Sequence, residues 1–344
     1  LRLILVLLAC FPAMAFAATA QTQLSGRTLE VMVGFSNTGD GARFWKLFSE
    51  SLRRHLPGTT IRARFNDTGS GVQGASALFK LPPGSLAVGF VRPPEIAFAQ
   101  INKREGVDFD LLGARWIVGV EQESFAMIGR RGLDTDPEAL RKATKRPILP
   151  VSDILATHAT VAVLLNAVTG IPARIVVGFG NSARLKAILA GDADFYTAAT
   201  DVELQPLLRS GDVVSLYTIV GNDFPPEVDR ARSLESFLVP GAPASVIGFI
   251  KSARGMGRAF FAPPGVADAD VEALRKVFEA VLRDPLFVEE AARQGVPVAA
   301  VPWRQVEEEV RTLMPGDTQS LRELDHAYAC GLAMSEGRIL GCDF

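Results

Sequence analysis

A glycine-rich stretch with the pattern G-x-G-x-x-G begins at Gly69 and ends at Gly74. In dinucleotide-binding domains such glycines let the backbone approach the pyrophosphate, and an acidic residue about 20 positions later binds the ribose. Glu95 occupies that later position. However, residues 66–68 separate the glycines from the preceding strand pattern, and that strand is the second of its unit. The sequence therefore predicts no nicotinamide, flavin or other cofactor.

A second group, Ser152, Asp153 and His158, has the residue types of a serine hydrolase. Hydrolytic triads draw their members from separate elements, whereas these three residues fall on one predicted strand-to-helix turn. The chain contains no G-x-S-x-G or H-E-x-x-H sequence. We therefore predict no catalytic residue, no metal ligand and no enzymatic activity. A secreted hydrolase that uses these three residues is kept as an alternative.

Loops that contain glycine, serine or threonine precede three predicted helices, at residues 36–41, 68–71 and 152–157. Backbone N–H groups at a helix start and side-chain hydroxyls are donors that suit a carboxylate. Each loop follows the carboxyl end of a predicted strand, where open α/β sheets bind ligands. One such loop is equally well explained as an ordinary turn. Three of them favour a binding site for a small anion.

Strand and helix patterns alternate in the first part of the chain, which predicts a mainly parallel sheet. The strand patterns are at residues 28–33, 60–65 and 86–91. A helical stripe of apolar residues at 44–52 lies between the first two. In the second strand, Ile61, Ala63 and Phe65 alternate with arginines, so we expect these three side chains to face the core.

The alternation restarts in the middle of the chain and ends in helices. Further strand patterns occur at residues 148–151, 174–179, 195–198, 213–219 and 257–262. After residue 268 the pattern is mostly helical, and we expect those helices to pack on the first unit. The chain would then pass between two domains near 121–125 and 236–243. The predicted fold class is α/β, with two domains, a hinge and an interdomain cleft. The predicted bounds are 25–122 plus 241–320 for domain 1, 123–240 for domain 2, and 321–344 for a C-terminal tail.

The N-terminal residues have the order of a secretory signal peptide. Arg2 precedes an apolar run at residues 3–11, and a small-residue cleavage site, A-F-A, follows at 15–17. We therefore predict a signal peptide at residues 1–17 and a periplasmic location. The apolar run is too short to span a bilayer, although an uncleaved anchor is an alternative. Cleavage before Cys10, with lipid attachment there, is another.

Composition restricts the remaining classes of function. The 344 residues are 48% apolar and carry a formal charge of −2, which is typical of a globular protein and predicts no nucleic-acid partner. Export leaves Cys330 and Cys342 as the cysteines of the processed chain. Because exported proteins meet an oxidising compartment, we predict one disulfide between them that closes the C-terminal tail.

Several segments, by their order and spacing, resemble one known family. They are GFSNTGDGARFW, SLRRHLPG, NDTGSGVQGASALF, SLAVGFVRPP, VDFDLLGARWIVG, HATVAVLLNAVTG, VVGFGNSARLKAILAGDADF and GRAFFAPPGVADADVEALRKVFEAVLRDPLF. The family comprises the extracytoplasmic solute receptors of tripartite tricarboxylate transporters, known as TctC or Bug proteins. The resemblance covers residues 29–301.

This resemblance implies a type 2 periplasmic-binding-protein fold whose domains close on a solute, without enzymatic activity. Members of the family bind carboxylated solutes through backbone and hydroxyl donors of the strand-to-helix loops. The implied partners are a small organic acid or amino-acid-like solute and integral-membrane permease subunits. Because a side chain at Gly71 would block backbone approach, we expect it to abolish binding and leave the fold intact. Carried over by position, the ligand-binding candidates are Ser36, Asn37, Thr38, Gly39, Asp40, Thr68, Gly69, Ser70, Gly71, Arg92, Ser152, Asp153 and Thr157.

The chain departs from the family pattern in two of the loops. Residues 36–38 replace the usual proline and glycines, and Ala42 stands where the family has aspartate. Asp40 and, in the third loop, Asp153 would repel a carboxylate. They could instead bind an ammonium group or a metal-bound solute, or cap a helix. A solute sensor that feeds a membrane sensor kinase, and a scaffold protein with a vestigial cleft, also remain alternatives.

Overall fold

The structure is a computed structural model that describes residues 22–154, 156–199 and 204–344. The predicted signal peptide at 1–17 and the alternative lipid site at Cys10 lie outside the described residues. The chain forms two compact units. The first unit contains the described residues up to Gln122 together with Gly257–Val310, and the second unit contains Glu123–Met256 and Arg311–Phe344. Within the described ranges, no helix combines the length and the apolar character needed to cross a membrane.

The first unit is built on a mixed, six-stranded sheet. Numbered in chain order, its strands are β1 (Thr28–Val33), β2 (Thr60–Phe65), β3 (Ala87–Val91), β4 (Arg115–Gly119), β10 (Ala259–Ala262) and β11 (Val301–Pro302). The order in space is β11-β4-β10-β3-β1-β2. β1 pairs in parallel with both β2 and β3, as predicted, whereas β10 runs antiparallel between β3 and β4.

Helices of the first unit bury an aromatic core against this sheet. They are α1 (Asp40–His55), α2 (Val72–Phe79), α3 (Pro93–Ile101), α9 (Asp268–Leu282) and α10 (Pro285–Arg293), with a 3-10 turn at Leu111–Gly113. Phe48 of α1 stacks on Phe260 of β10 at 4.9 Å between ring centroids, and Phe260 stacks on Phe90 of β3 at 4.5 Å. The apolar stripe of α1 therefore positions the start of that helix on the sheet.

The second strand, β2, differs from its prediction in one respect. Its residues alternate as a buried strand would, but Ala63 and Phe65 are exposed and Ile61 is only half-buried. β2 is one of the two edge strands of the sheet and pairs with β1 alone. The expectation was therefore wrong for Ala63 and Phe65, which are exposed on this edge strand, whereas Ile61 packs against the core of the unit.

The second unit contains two smaller sheets. β5 (Phe125–Arg130) lies between β8 (Phe195–Ala199) and β9 (Val213–Val220) and is antiparallel to both. β6 (Ile148–Pro150) and β7 (Arg174–Val176) form a parallel pair. The helices are α4 (Pro137–Arg141), α5 (Thr157–Thr169), α6 (Asn181–Ala190), α7 (Gln205–Ser210), α8 (Ala244–Gly255) and α12 (Thr318–Ser335), with a 3-10 turn at Leu234–Phe237. α11 (Trp303–Leu313) begins in the first unit and ends in the second.

The bounds of the two units differ from the predicted domain bounds. The prediction placed residues 241–256 and 311–320 in the first domain, whereas both segments belong to the second unit. The C-terminal helix α12 packs closely on α5, since a Cβ built on Gly331 would lie 2.0 Å from the carbonyl oxygen of Val163. The Oγ of Ser335 also accepts a hydrogen bond from the N–H of Ile175, at 2.9 Å. The predicted tail is thus an integral part of the second unit.

A disulfide joins Cys330 of α12 to Cys342, with 5.9 Å between their Cα atoms. The chain beyond α12 folds back on this helix. The Nε2 of His326 lies 2.9 Å from the carbonyl oxygen of Asp343. The disulfide therefore holds the last residues against a helix that is itself packed on α5.

Candidate functional site

Two of the predicted loops lie side by side in the first unit, at the carboxyl ends of the parallel strands. Gly34 directly follows β1, and its N–H donates to the carbonyl oxygen of Phe90 in β3 at 2.9 Å. Gly71 ends the loop after β2 with φ of +88°. A Cβ built on Gly71 would lie 2.9 Å from the Gly34 carbonyl oxygen. The contact between the two loops therefore requires glycine at position 71.

That contact corrects one expectation about Gly71. The residue is buried against the backbone of Gly34, although Thr68, Gly69 and Ser70 before it are exposed. A substitution at Gly71 strains the left-handed backbone and pushes the two loops apart. We therefore expect such a variant to lose stability as well as loop geometry, so that it would not separate binding from folding.

The first loop ends in a helix start without a side-chain cap. Residues 36–40 are all exposed, and the Oγ of Ser36 donates to the carbonyl oxygen of Thr38 at 2.6 Å. Gly39, with φ of +87°, is the N-cap of α1, and no described side chain accepts from the first turn. The N–H groups of that turn have no partner within the helix itself. They are donors that an anionic group can use.

Asp40, the first residue of α1, makes an ion pair with Arg43 one turn later. Both side chains are exposed, so the pair contributes little to stability. The Asp40 carboxylate does not cap α1. Its charge at the helix start is offset by the neighbouring guanidinium, which reduces the repulsion that an isolated aspartate would exert on a carboxylate.

The glycine loop after β2 is a tight turn. The N–H of Thr68 donates to the Oδ1 of Asn66 at 3.1 Å, and both Gly69 and Ser70 have positive φ, 63° and 59°. The loop follows the second strand, at the edge of the sheet, and Glu95 lies in the first turn of α3. This arrangement is not that of a dinucleotide-binding unit, in which the glycines follow the first strand.

Arg92 lies, like these two loops, at the carboxyl ends of the parallel strands. It directly follows β3 and is the N-cap residue of α3, with its side chain half-buried. Because β3 pairs in parallel with β1, Arg92 and Gly34 belong to the same carboxyl edge. The first unit thus brings together one predicted cation, Arg92, and the loops at residues 36–41 and 68–71, which are called the donor loops below.

The third predicted loop belongs to the second unit. Ser152 and Asp153 are exposed, and Leu155 is outside the described residues. Ala156 is the N-cap of α5, and Thr157 begins the helix. Thr157 is only 2% exposed, and its Oγ1 has no hydrogen-bond partner among the described residues. A buried hydroxyl without a partner is unusual and marks this helix start as a candidate contact.

His158 ties this loop to α5. Its Nε2 accepts a hydrogen bond from the N–H of Ser152 at 3.0 Å and lies 3.2 Å from the Oγ of the same serine. Since a backbone N–H can only donate, the neutral ring carries its proton on Nδ1. Burial lowers the pKa of His158 to about 3, and the positive charges of Arg184 and Arg254 act in the same direction. The charge of Asp153 opposes them.

These contacts do not favour the hydrolase alternative. Ser152 and His158 are within reach of each other, as a nucleophile and its base would be. However, a general base works best with a pKa near the working pH, and the pKa of His158 is far below 7. Its Nε2 is also occupied by a backbone N–H. The interaction is therefore better explained as a structural link across the turn.

Sequence reasoning missed a buried cation at the carboxyl edge of the first sheet. Arg258 directly precedes β10 and is 3% exposed. Its Nε donates to the Oε2 of Glu121 at 2.7 Å, and its Nη1 donates to the carbonyl oxygen of Asp40 at 3.0 Å. The available signal was a single charge at the head of an otherwise apolar strand.

Among the described residues, no three acidic, histidine or cysteine side chains are placed to hold a metal ion.

Comparison with known proteins finds similarity at the level of structure. No protein-family profile matches it, and no curated protein does. A TctC solute-binding protein from Polaromonas aligns with a TM-score of 0.67 and 14% identity, over 88% of this chain and 97% of that chain. The periplasmic binding protein BugD aligns at 0.58 and 17%, over 88% and 97%. MatC from Rhodopseudomonas palustris, with bound malate, aligns at 0.54 and 15%, over 88% and 98%.

Identities this low carry information about the fold alone. The alignments nevertheless span nearly the whole of each solved structure, and both units of this chain are α/β. The predicted fold class is confirmed: the chain has the two-domain α/β fold of the TctC and Bug periplasmic solute-binding proteins.

Proposed function

We propose that the protein is an extracytoplasmic receptor that captures a small carboxylate-bearing solute. The observation that carries this proposal is the pair of donor loops at one edge of the first sheet, with Gly71 packed on Gly34 beside an uncapped helix start. Helix-start N–H groups and exposed hydroxyls are donors, and they bind carboxylates well. The solved structures with this fold are named as solute-binding proteins, and one of them holds malate.

The proposed contacts in the first unit divide into three kinds. The first-turn N–H groups of α1 would bind one carboxylate oxygen, and Arg92 would supply a positive charge. Hydroxyls would complete the coordination of the oxygens. The exposed hydroxyls at this edge are those of Ser36, Thr38, Thr68 and Ser70.

In the second unit, Ser152, Asp153 and Thr157 are the proposed solute contacts. The buried Oγ1 of Thr157 supports a polar contact at the start of α5. Asp153 distinguishes two classes of solute. An ammonium group on the solute would be attracted by its carboxylate, whereas a plain dicarboxylate such as malate would be repelled.

The proposed cellular role follows from the same fold. The receptor would be exported through its signal peptide, remain in the periplasm and deliver the solute to the permease subunits of a tripartite tricarboxylate-type transporter. Delivery to a membrane sensor kinase is the alternative use of the same binding event. Solved neighbours are binding proteins and not enzymes, which supports a non-enzymatic function.

A thermal-shift screen of carboxylic acids tests the proposal. Purified protein is melted with malate, other mono-, di- and tricarboxylates, and amino acids. A true ligand at a hundredfold excess over its dissociation constant raises the free energy of unfolding by about 2.7 kcal/mol. Hits are confirmed by calorimetry. If no member of these classes shifts the melting curve, while a p-nitrophenyl ester is hydrolysed and His158→Gln stops the hydrolysis, the enzyme alternative replaces the receptor.

Asp153→Asn then assigns the solute class among confirmed hits. For a solute with an ammonium group, loss of the aspartate charge weakens binding by about 1.5–3 kcal/mol, the contribution of a hydrogen bond to a charged group. For a plain carboxylate, affinity stays equal or rises. Asp40→Asn is the matched variant in the first unit, where Arg43 already offsets the charge. Equal affinity in both variants for an amino-acid ligand would remove Asp153 from the site.

A further inference from the structure

We propose that Arg258 is a positioning residue for the candidate solute site, because its buried guanidinium holds the start of α1 in place. This inference rests on the proposed function for its consequence, although the contact itself does not depend on it. The side chains of Arg258 and Glu121 are 4% and 9% exposed, and they form an ion pair at 2.7 Å. The second donor group, Nη1, reaches the carbonyl oxygen of Asp40 at 3.0 Å.

The strand register places Arg258 at the same edge as the donor loops. In β10, Ala259 pairs with Val91, the last residue of β3, and with Gly119, the last residue of β4. Arg258 is the residue before Ala259, so it lies beyond the carboxyl ends of both neighbours. β1 is parallel to β3 and ends at this edge as well. The Arg258 guanidinium therefore lies next to the first residue of α1, where it donates to the Asp40 carbonyl oxygen.

Neighbouring contacts leave the guanidinium little freedom. Its central carbon lies 5.2 Å from the ring centroid of Phe44, which is itself fully buried in α1. The carbonyl oxygen of Arg258 accepts from the N–H of Val120 at 2.8 Å. A Cβ built on Gly257 would lie 2.6 Å from the carbonyl oxygen of Glu121. The backbone of residues 257–258 thus contacts the backbone of residues 120–121. The Arg258 side chain packs between these segments and α1.

A contribution to folding stability does not by itself explain the buried ion pair between Arg258 and Glu121. Removing two charges from water is costly, and well-packed apolar residues of similar volume often stabilise a core equally well or better. Phe48, Phe90 and Phe260 show that apolar packing dominates this part of the core. What an apolar residue cannot do is donate to the Asp40 carbonyl. The specific consequence of Arg258 is therefore a fixed start of α1, and with it fixed donors in residues 36–41.

A matched control exists in the same unit. Arg275 is also buried, at 9% exposure, and donates to the carbonyl oxygen of Trp116 at 2.9 Å and to the Oε1 of Glu272 at 2.7 Å. It touches neither donor loop in these contacts. Arg258→Met and Arg275→Met therefore both remove a buried guanidinium, and only the first removes a contact to the start of α1.

Hydrogen exchange of the whole, unliganded protein is the decisive measurement. We expect exchange in peptides covering residues 40–48 to become about tenfold faster in Arg258→Met and to stay unchanged in Arg275→Met, since local opening governs exchange. Peptides covering β2 serve as the internal reference. Equal exchange at 40–48 in the parent and in Arg258→Met would overturn the proposal.

Affinity for malate, or for the acid confirmed in the screen, gives the second readout. Arg258→Met is expected to bind about tenfold more weakly, equivalent to about 1.4 kcal/mol, while Arg275→Met stays within about threefold of the parent. Arg258→Lys, which can still reach a carbonyl with one donor, should recover part of the affinity. Faster exchange at 40–48 with unchanged affinity would also overturn the proposal, since the helix start would then not matter for binding.

The test still applies if Arg258→Met does not fold or if the parent protein binds none of the acids. If Arg258→Met does not fold, the double variant Arg258→Met with Glu121→Met removes both buried charges and carries the same test. If the parent protein binds none of the acids, the proposed function fails. The exchange result still decides whether Arg258 holds the start of α1.

Discussion

At the scale of single residues, Gly71 makes a close backbone approach between two loops of the first unit. Its φ of +88° is accessible to glycine, and its Cα faces the carbonyl group of Gly34. Two loops that are far apart in sequence are joined by this one residue type. Another glycine of the same unit has a similar positive φ but no atom close to its built Cβ, so substitutions at the two positions can be compared.

We predict that Gly71→Ala lowers the free energy of unfolding by about 2–4 kcal/mol, from backbone strain plus overpacking. Gly84 has φ of +84° and nothing within 4 Å of a built Cβ, so Gly84→Ala carries only the strain, about 1 kcal/mol. Urea titrations of both variants give the difference. Equal losses in the two variants would show that Gly34 moves aside at no cost.

His158 supplies a prediction about pH. Burial lowers its pKa to about 3 in the folded protein, while the unfolded value is about 6.5. Between these values the unfolded chain binds more protons than the folded one, so stability falls as the pH decreases. We expect this single group to cost about 1.4 kcal/mol per pH unit below 6.5.

The measurement is the free energy of unfolding between pH 7 and pH 5, above the range in which most carboxylates titrate. His158→Gln keeps an acceptor for the Ser152 N–H and should show a flatter profile than the parent. His326→Gln, at an exposed histidine of α12, is the control for replacing a histidine outside this turn. A parent slope retained in His158→Gln would assign the pH dependence to other groups.

At the scale of elements, the contact between α12 and α5 depends on a missing side chain. A Cβ on Gly331 would be 2.0 Å from the Val163 carbonyl oxygen and 2.9 Å from its carbon. Both partners are backbone atoms, so the helices themselves would have to separate. The neighbouring Arg146 donates to the carbonyl oxygens of Met334 and Ser335 at the end of α12, at 3.2 Å and 2.6 Å, which ties the helix further to the unit.

We predict that Gly331→Ala destabilises the protein by about 1–3 kcal/mol, because overpacking outweighs the gain in helix propensity. Gly248 lies within α8, also in the second unit, and a Cβ there meets only a Thr312 methyl group at 3.4 Å. Gly248→Ala should therefore stabilise by about 0.5–1 kcal/mol. The two variants change the same residue type to alanine in helices and are expected to shift the melting temperature in opposite directions. A stabilising Gly331→Ala would show that α12 is not held by this contact.

At the scale of the whole molecule, both cysteines of the described chain belong to the second unit. Their disulfide closes a loop with a sequence separation of 12. In the chain-entropy account such a loop contributes about 3 kcal/mol by restricting the unfolded state. The effect should therefore be confined to whichever unfolding transition includes the second unit.

We predict that Cys330→Ser with Cys342→Ser lowers the stability of the second unit by about 2–4 kcal/mol and leaves the first unit unchanged. Calorimetry of the parent with and without reductant gives the same comparison without mutation. Hydrogen exchange of β1 and β5 peptides reports on the two units separately. A loss shared equally by both sets of peptides would indicate that the units unfold together.

Local patterns in the amino-acid sequence were enough to predict the elements and the class of fold. Alternation and helical spacing located β1, β3 and the apolar face of α1, because these patterns depend on neighbours a few residues away. Loop composition located the candidate donors before three helices. The order of the motifs also indicated a family whose fold the solved structures confirm, and the cysteine count indicated the disulfide.

Which elements lie together and which loops touch depends on long-range packing in the folded chain. Whether β2 is an interior or an edge strand depends on what pairs with it, and its own alternation is the same in both cases. The membership of α8 and α12 in the second unit follows from packing on distant segments. Arg258 and Glu121 are 137 residues apart, so no local pattern connects them. Periodicity records which face of an element is buried, whereas the partner that buries it is a property of the folded chain.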